Sequence, residues 1–207
     1  MKKYKTEQES FWSGDFGDGY NKRNRGQQFT ANQTFFFSKI LSRTDSVKSV
    51  MEFGANIGEN LKAIKNLLPD VKLSAVEINK DAVKELRGWK EGKVKIYDES
   101  ILDFKVDSKR DFVFTKGVLI HINPNELVNI YRLMYETSGR YICIAEYYSP
   151  KPETMLYRGE KDRLFKRDFC GEIMQKYPDL KLVDYGFGYH GDPNFPQDDV
   201  TWFLLEK

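Results

Sequence analysis

Four residues in the stretch VKSVMEFGANIGENLKAIKNLL, residues 47 to 68, have the types and spacing for chemistry: Glu52, Gly54, Asn56 and Gly58. A short apolar run, Val50 to Phe53, stops at Gly54, and a helical pattern of apolar residues follows Gly58. A strand that turns sharply into a helix is the ligand corner of a doubly wound sheet. The helix N-terminus and the turn present unpaired amides there, and small residues let a ligand approach the backbone. Dinucleotide binders need G-x-G-x-x-G. Aligned on Gly54, that pattern requires glycine at 56 and 59, where this chain has Asn56 and Glu59. A glutamate at the helix start also opposes a pyrophosphate in charge.

The stretch reads E-x-G-x-N-x-G, which resembles motif I of class I S-adenosylmethionine-dependent methyltransferases. Asn56 departs from the usual middle glycine, but asparagine tolerates a left-handed backbone better than most residues. The resemblance implies S-adenosylmethionine as cofactor and S-adenosylhomocysteine as product. Glu52 would organise the methionine end. A second strand, KLSAVEIN, ends at Glu77, an acid about 20 residues further on that suits the two ribose hydroxyls, with Ile78 beside it. In the class I pattern, a polar and an apolar residue after the third strand touch adenine, and Ser100 and Ile101 match, with Asp98 as a second candidate. Glu99 stands where the family often has glycine. Lys116, Gly117 and Val118 fall where the fourth strand passes under the methionine moiety.

These residues need a scaffold, and the periodicity supplies one. Apolar runs predict strands at 49–53, 72–77, 93–97, 111–115 and 140–146, with helical spacing at 58–68, 79–88 and 124–137. Asn79 and Asn123 suit N-caps, and Pro124 suits a first helical turn. Such β-α alternation predicts a parallel sheet with helices on both faces. Residues 149–168, with two prolines, read as an irregular connection. A helix over 168–177 and two closing strands, 180–189 and 199–206, follow; the short loop between them makes that pair antiparallel. Upstream, 31–44 reads as a helix, and 1–27 as a glycine-dotted arm with a short helix near Gln8. The fold class is therefore α/β: a three-layer, Rossmann-like class I methyltransferase sheet, mostly parallel with an antiparallel last strand. One domain is expected, with an arm and helix over 1–45 and the core over 46–207.

Longer strings carry a narrower resemblance. TEQESFWSGDFGDGY, SVMEFGANIGENL, DFVFTKGVLIHINP, AEYYSPKP, YRGEKDRLFKRDFCGEIMQKYPDLKLVDYGFGYH and DPNFPQDDVTWFLLEK are similar to the methyltransferases associated with pseudaminic acid biosynthesis. That likeness implies a sugar-related acceptor, by association and not by any residue. It also implies that the N-terminal arm is a lid, with Trp12 or Tyr20 touching the cofactor or acceptor and Arg23 near the acceptor.

In an open α/β sheet the site lies beyond the carboxyl ends of the parallel strands. His190, past the sixth strand, is the first candidate for a general base, and His121, past the fourth, is the second. Tyr147 and Tyr148 end the fifth strand and alternate in direction, so one of them faces the site, Tyr148 as a catalytic candidate or Tyr147 as a binding one. Over 151–167 six basic residues stand against three acidic ones. Within that run Arg158 and Arg163 suit a carboxylate or phosphate; a solvated loop with salt bridges explains the charges equally well.

Composition narrows the partners. The net charge of +2 over 207 residues lacks the basic excess of a nucleic-acid clamp. No run suits a membrane helix, and the N-terminus has no signal-peptide core. Cys143 and Cys170 are expected to be reduced, as in a cytoplasmic protein. Two histidines without a nearby acidic triad make a poor metal-ligand set, so no metal is expected. The 12 Tyr and 15 Phe suit core packing or the aromatic walls of a small-molecule site. A methyltransferase acting on a small acceptor, a nicotinamide-dependent oxidoreductase and a non-catalytic cofactor-binding module remain as readings. The oxidoreductase is disfavoured by Asn56, Glu59 and the lack of a Tyr-x-x-x-Lys pair.

Overall fold

The computed structural model describes residues 4–23 and 25–207, with side chains throughout except at 22 and 23. Seven strands form one sheet: β1 (Ser49–Phe53), β2 (Lys72–Glu77), β3 (Lys95–Asp98), β4 (Arg110–Lys116), β5 (Ser138–Glu146), β8 (Lys181–Gly188) and β9 (Val200–Glu206). Their order is β3-β2-β1-β4-β5-β9-β8. β1, β2 and β3 are parallel, as are β4 and β5, while β9 runs antiparallel to both β5 and β8. The expected sheet is therefore present, and its antiparallel member is the last strand.

The chain divides into two compact units, 1–105 and 106–207. The first holds α1 (Glu7–Ser13), α2 (Asp15–Arg23), α3 (Gln27–Leu41), α4 (Glu59–Leu67) and α5 (Lys80–Gly88) with β1 to β3. Val50, Met51 and Phe53 on β1 and Ala75 and Val76 on β2 are fully buried, as are Phe37 and Ile40 on α3 and Leu61 and Ile64 on α4. Each large side chain so buried contributes roughly 1.5–3 kcal/mol to the core of this unit. The amphipathic α4 and α5 put Ala63, Val83 and Leu86 inward and their lysines outward.

The second unit holds β4, α6 (Leu127–Thr137), β5, α7 (Phe169–Lys176), β8 and β9. Phe112, Val113 and Phe114 meet Tyr141, Ile142 and Cys143 across the β4–β5 ladder, all buried. Such continuous apolar runs belong to strands covered on both faces. Gly186 sits against the Trp202 indole, where an added Cβ would lie 2.7–2.8 Å from ring atoms.

Four expectations need correction. Residues 149–168 are not irregular: β6 (Glu153–Tyr157) and β7 (Glu160–Lys166) form an antiparallel hairpin. Its two-residue turn, Arg158-Gly159, has φ of 52° and 87°, the left-handed pair that matches strand twist. β6 is almost wholly exposed, so no apolar alternation marked it. The arm is two helices, not one, despite Gly14, Gly17 and Gly19. The helix expected over 31–44 begins earlier, at Gln27, and the one expected over 124–137 opens as a 3-10 turn, Pro124–Glu126.

Candidate functional site

In the first unit the glycine turn closes on the end of β2. Gly54 and Ala55 donate their N–H groups to Val76 O at 2.8 and 3.2 Å. Asn56 takes the left-handed conformation, φ 50°, and its own Oδ1 accepts from Ile57 N at 2.6 Å. Its N–H donates to Glu77 Oε2 at 2.7 Å, and Asn79 N donates to Glu77 Oε1 at 2.7 Å. Glu77 thus pins the turn to the start of α5. Burial raises its pKa; the N–H groups of Asn79, Asn56 and Ile78 oppose that rise, and Asp98 adds to it. Asp98 stands directly across the β2–β3 ladder from Glu77. It is also drawn to Lys80 and, at 3.4 Å, to Arg87 on α5.

Glu52 is fully buried, and its Oε1 accepts from Asn60 Nδ2 at 2.7 Å. Asn60 carried no sequence signal: an asparagine inside a helix is usually a surface residue. Glu59 does not face the turn. Its carboxylate accepts from Thr30 Oγ1 on α3 at 2.5 Å and pairs with Lys62 at 2.7 Å. The charge argument against a pyrophosphate therefore fails, and the case against a dinucleotide rests on the missing glycines.

The arm docks on this same corner. Asn79 caps α5 through Ala82 N at 2.8 Å. Its amide also donates to Asp18 Oδ1 at 2.7 Å and Trp12 O at 3.3 Å, and its Oδ1 accepts from Asn21 at 3.0 Å. Trp12 stands edge-on to Tyr20, with ring centroids 5.4 Å apart. Glu9 completes a capping box with Thr6 and also accepts a hydrogen bond from the buried Ser100 hydroxyl. Ser100 Oγ in turn accepts from Leu102 N at 3.0 Å, with Ile101 half-buried between them. Sequence reasoning missed Glu9 in this role, though T-x-x-E was legible as a capping box. Arg23 ends α2; its side chain lies outside the described residues.

In the second unit, Lys116, Gly117 and Val118 leave β4, and Gly117 N donates to Ala145 O at 2.9 Å. His121 follows in a 3-10 turn, 8% exposed, with Nδ1 2.6 Å from Arg163 O on β7. A carbonyl only accepts, so Nδ1 carries the proton and Nε2 the lone pair. Burial lowers the pKa of His121 to about 4. The unfolded chain therefore binds this proton first as pH falls. His121 is expected to cost about 3 kcal/mol of stability between roughly pH 6.5 and 4. Denaturant melts of wild type and His121→Asn across that window should show the shallower acid loss in the variant.

The Tyr157 ring of the hairpin lies 4.9 Å from the His121 ring. Tyr147 sits under the Lys166 ammonium, 5.6 Å from its ring centre, and burial, with Asp198 and Tyr157 nearby, pushes its pKa up to about 12. Tyr148 turns the other way, 43% exposed and 6.0 Å from the Phe203 ring. His190 is exposed, and its Nδ1 is 2.8 Å from both Asp199 carboxylate oxygens. Arg158 occupies the hairpin tip, whereas Arg163 lies on β7 with its guanidinium on Asp162 O at 3.1 Å. The two arginines thus occupy different parts of the hairpin. Among the described residues, no group of three His, Cys, Asp or Glu could hold a metal ion, and no helix is long and apolar enough to cross a membrane.

No protein-family model and no curated protein matches the chain. Solved structures do. The plantazolicin methyltransferase BpumL in complex with SAH is 15% identical, with TM-score 0.65 over 97% of this chain and 93% of that one. Burkholderia thailandensis 1,6-didemethyltoxoflavin-N1-methyltransferase is 12% identical, with TM-score 0.69 over 96% and 86%. Streptomyces venezuelae DesVI is 12% identical, with TM-score 0.64 over 93% and 98%. The chain shares their fold. At that identity the likeness speaks for the arrangement of strands and helices, and the chemistry must be argued from this chain's own residues.

Proposed function

We propose that this chain is an S-adenosylmethionine-dependent methyltransferase acting on a small polar acceptor. The observation that carries the reading is the Glu77 corner. Each Glu77 oxygen accepts one backbone N–H from Asn56 or Asn79, and a carboxylate offers about four lone-pair positions. The remaining positions suit the vicinal hydroxyls of a ribose. Glu52, Gly54, Asn56 and Gly58 would line the methionine side, with the arm residues Trp12 and Tyr20; Lys116 to Val118 are cofactor candidates through the class I resemblance alone. Ile78, Asp98 and Ile101 would border the nucleoside. Ser100, already held by Glu9, would act through its backbone. The neighbours crystallised with SAM, SAH or sinefungin support this cofactor.

The cofactor supplies a methyl group on a sulfonium, a leaving group that needs no acid. The protein's part is to align the nucleophile, exclude water and receive its proton. His121 suits that part better than His190. Its ring is fixed by Arg163 O and packs against the Tyr157 ring. The exposed His190 is engaged with Asp199. With a pKa near 4, His121 is a weak base that orients the acceptor and takes the proton late. Tyr147, on the same side as Tyr157, would face the acceptor, with Tyr148 and Arg158 outside it.

Lys166 and Arg163 favour an anionic acceptor, and an acidic sugar or nucleotide-sugar of the pseudaminic acid type is the finer reading. Two structural neighbours, the glycopeptide N-methyltransferase MtfA and the 1,6-didemethyltoxoflavin-N1-methyltransferase, are N-methyltransferases, so a nitrogen acceptor belongs in the same screen. The test is transfer of labelled methyl to a panel of acidic sugars, nucleotide-sugars and amino-sugars. His121→Asn is expected to lower kcat by about 10²-fold, the low end for a proton-transfer residue. His190→Ala should change it by less than about threefold. The reverse ranking would return the base role to His190.

A further inference from the structure

The end of β5 carries a carboxylate that the reaction above does not use. Glu146 is 2% exposed. Its oxygens accept from Val118 N at 3.1 and 2.9 Å, Leu119 N at 3.1 Å and Ile120 N at 3.4 Å. These are the leading amides of the 3-10 turn Leu119–His121, which have no partners inside the turn. Gly117, at φ 65°, breaks β4 just before them and donates its own N–H to Ala145 O. Residues 117–120 therefore hang from the last two residues of β5. Burying a carboxylate costs several kcal/mol unless its lone pairs are satisfied. Here the donors in hydrogen-bond geometry are backbone N–H groups of one turn. Lys116 to Val118 stand at one end of that turn and His121 at the other.

We infer that Glu146 is a positioning residue for methyl transfer: its ionised carboxylate fixes the 117–120 turn, and with it both Lys116–Val118 at the cofactor and His121 at the acceptor. The inference rests on the methyltransferase reading for what the turn serves. A protonated carboxyl would point a hydrogen at an amide donor and release part of the turn, so cofactor affinity should follow the charge on Glu146.

Several groups face this carboxylate. The Thr115 hydroxyl on β4 stabilises its charged form. Cys143 on β5, Tyr147 just past it and Tyr131 on α6 are pushed up, burial being the main cause for each, and Lys116 on β4 acts on Cys143. His121, in the turn itself, is pushed down to about 4. Burial raises Glu146 to about 7 against the pull of its amide donors. Between pH 6 and 8 the charge that changes beside the turn is therefore that of Glu146.

The test is calorimetric binding of S-adenosylmethionine to wild type and to Glu146→Gln at pH 8 and pH 6. The cofactor's own α-amino group titrates against both proteins, so the readout is their difference. Wild type should lose about tenfold more affinity than the variant on going to pH 6, as expected if the competent form falls to about a tenth. Equal pH dependence would overturn the inference. Amide exchange in wild type covers a variant that fails to fold. Protection at Val118, Leu119 and Ile120, relative to β1 amides, should fall severalfold from pH 8 to 6, and unchanged protection would overturn the inference. If wild type binds no S-adenosylmethionine at either pH, the methyltransferase reading fails, and the exchange data still decide whether Glu146 holds the turn.

Discussion

Glu77→Ala is expected to weaken S-adenosylmethionine binding by about tenfold to a hundredfold while leaving a folded chain. Two effects combine. The cofactor loses the acceptor for its ribose hydroxyls, and Asn56 N and Asn79 N lose theirs, so the turn and the start of α5 are no longer pinned to each other. Leaving buried donors unsatisfied costs roughly 1–3 kcal/mol, which is the size of the expected loss. Glu77→Gln keeps the shape but puts a donor where an acceptor is required, and should fall between wild type and alanine. Calorimetry with a melting curve on each variant checks this. Wild-type affinity in a folded Glu77→Ala chain would remove Glu77 from the site.

The largest stability effect is expected at Gly58. It takes φ 83°, ψ 21° at the N-cap of α4, and a Cβ there would lie 2.4 Å from Leu86 Cδ1. The left-handed conformation costs a residue with a Cβ about 1–2 kcal/mol. Leu86 is buried, with 1% exposure, so it yields only by repacking the interior of the first unit, at roughly 1–3 kcal/mol more. Gly58→Ala should therefore lose about 2–5 kcal/mol, read as a fall in Tm of roughly 4–20 °C. A melting curve that superposes on wild type would mean that the turn is built differently.

What the sequence disclosed follows from how local each signal is. Strands β1 and β2 stand at 49–53 and 72–77 as expected, because each is a buried apolar run ended by an acid or a glycine. Asn79 was legible as an N-cap because capping is set within four residues. Its second role, anchoring Trp12, Asp18 and Asn21, joins residues about sixty apart and leaves no periodic trace. Glu146 is the same case: it reads as a polar end to an apolar strand, and its amide donors lie 26 to 28 residues upstream. The β6–β7 hairpin was missed for another reason. Its outer strand is exposed, so neither face selects apolar residues, and the Arg158-Gly159 turn is a weaker sign than Asn-Gly or Asp-Gly. Tyr147 and Tyr148 show the limit of strand alternation. It says that they face opposite ways, and only the contacts with Lys166 and Phe203 say which way each turns.

Calorimetric binding of S-adenosylmethionine and, separately, of NADH to the wild-type chain decides which cofactor the glycine turn serves. S-adenosylmethionine is expected to bind and NADH is not, because the proposed ribose site at Glu77 adjoins a turn that lacks, at positions 56 and 59, the glycines that a pyrophosphate requires. Binding of NADH alone would contradict that expectation and would mean that the Gly54–Gly58 turn serves a dinucleotide.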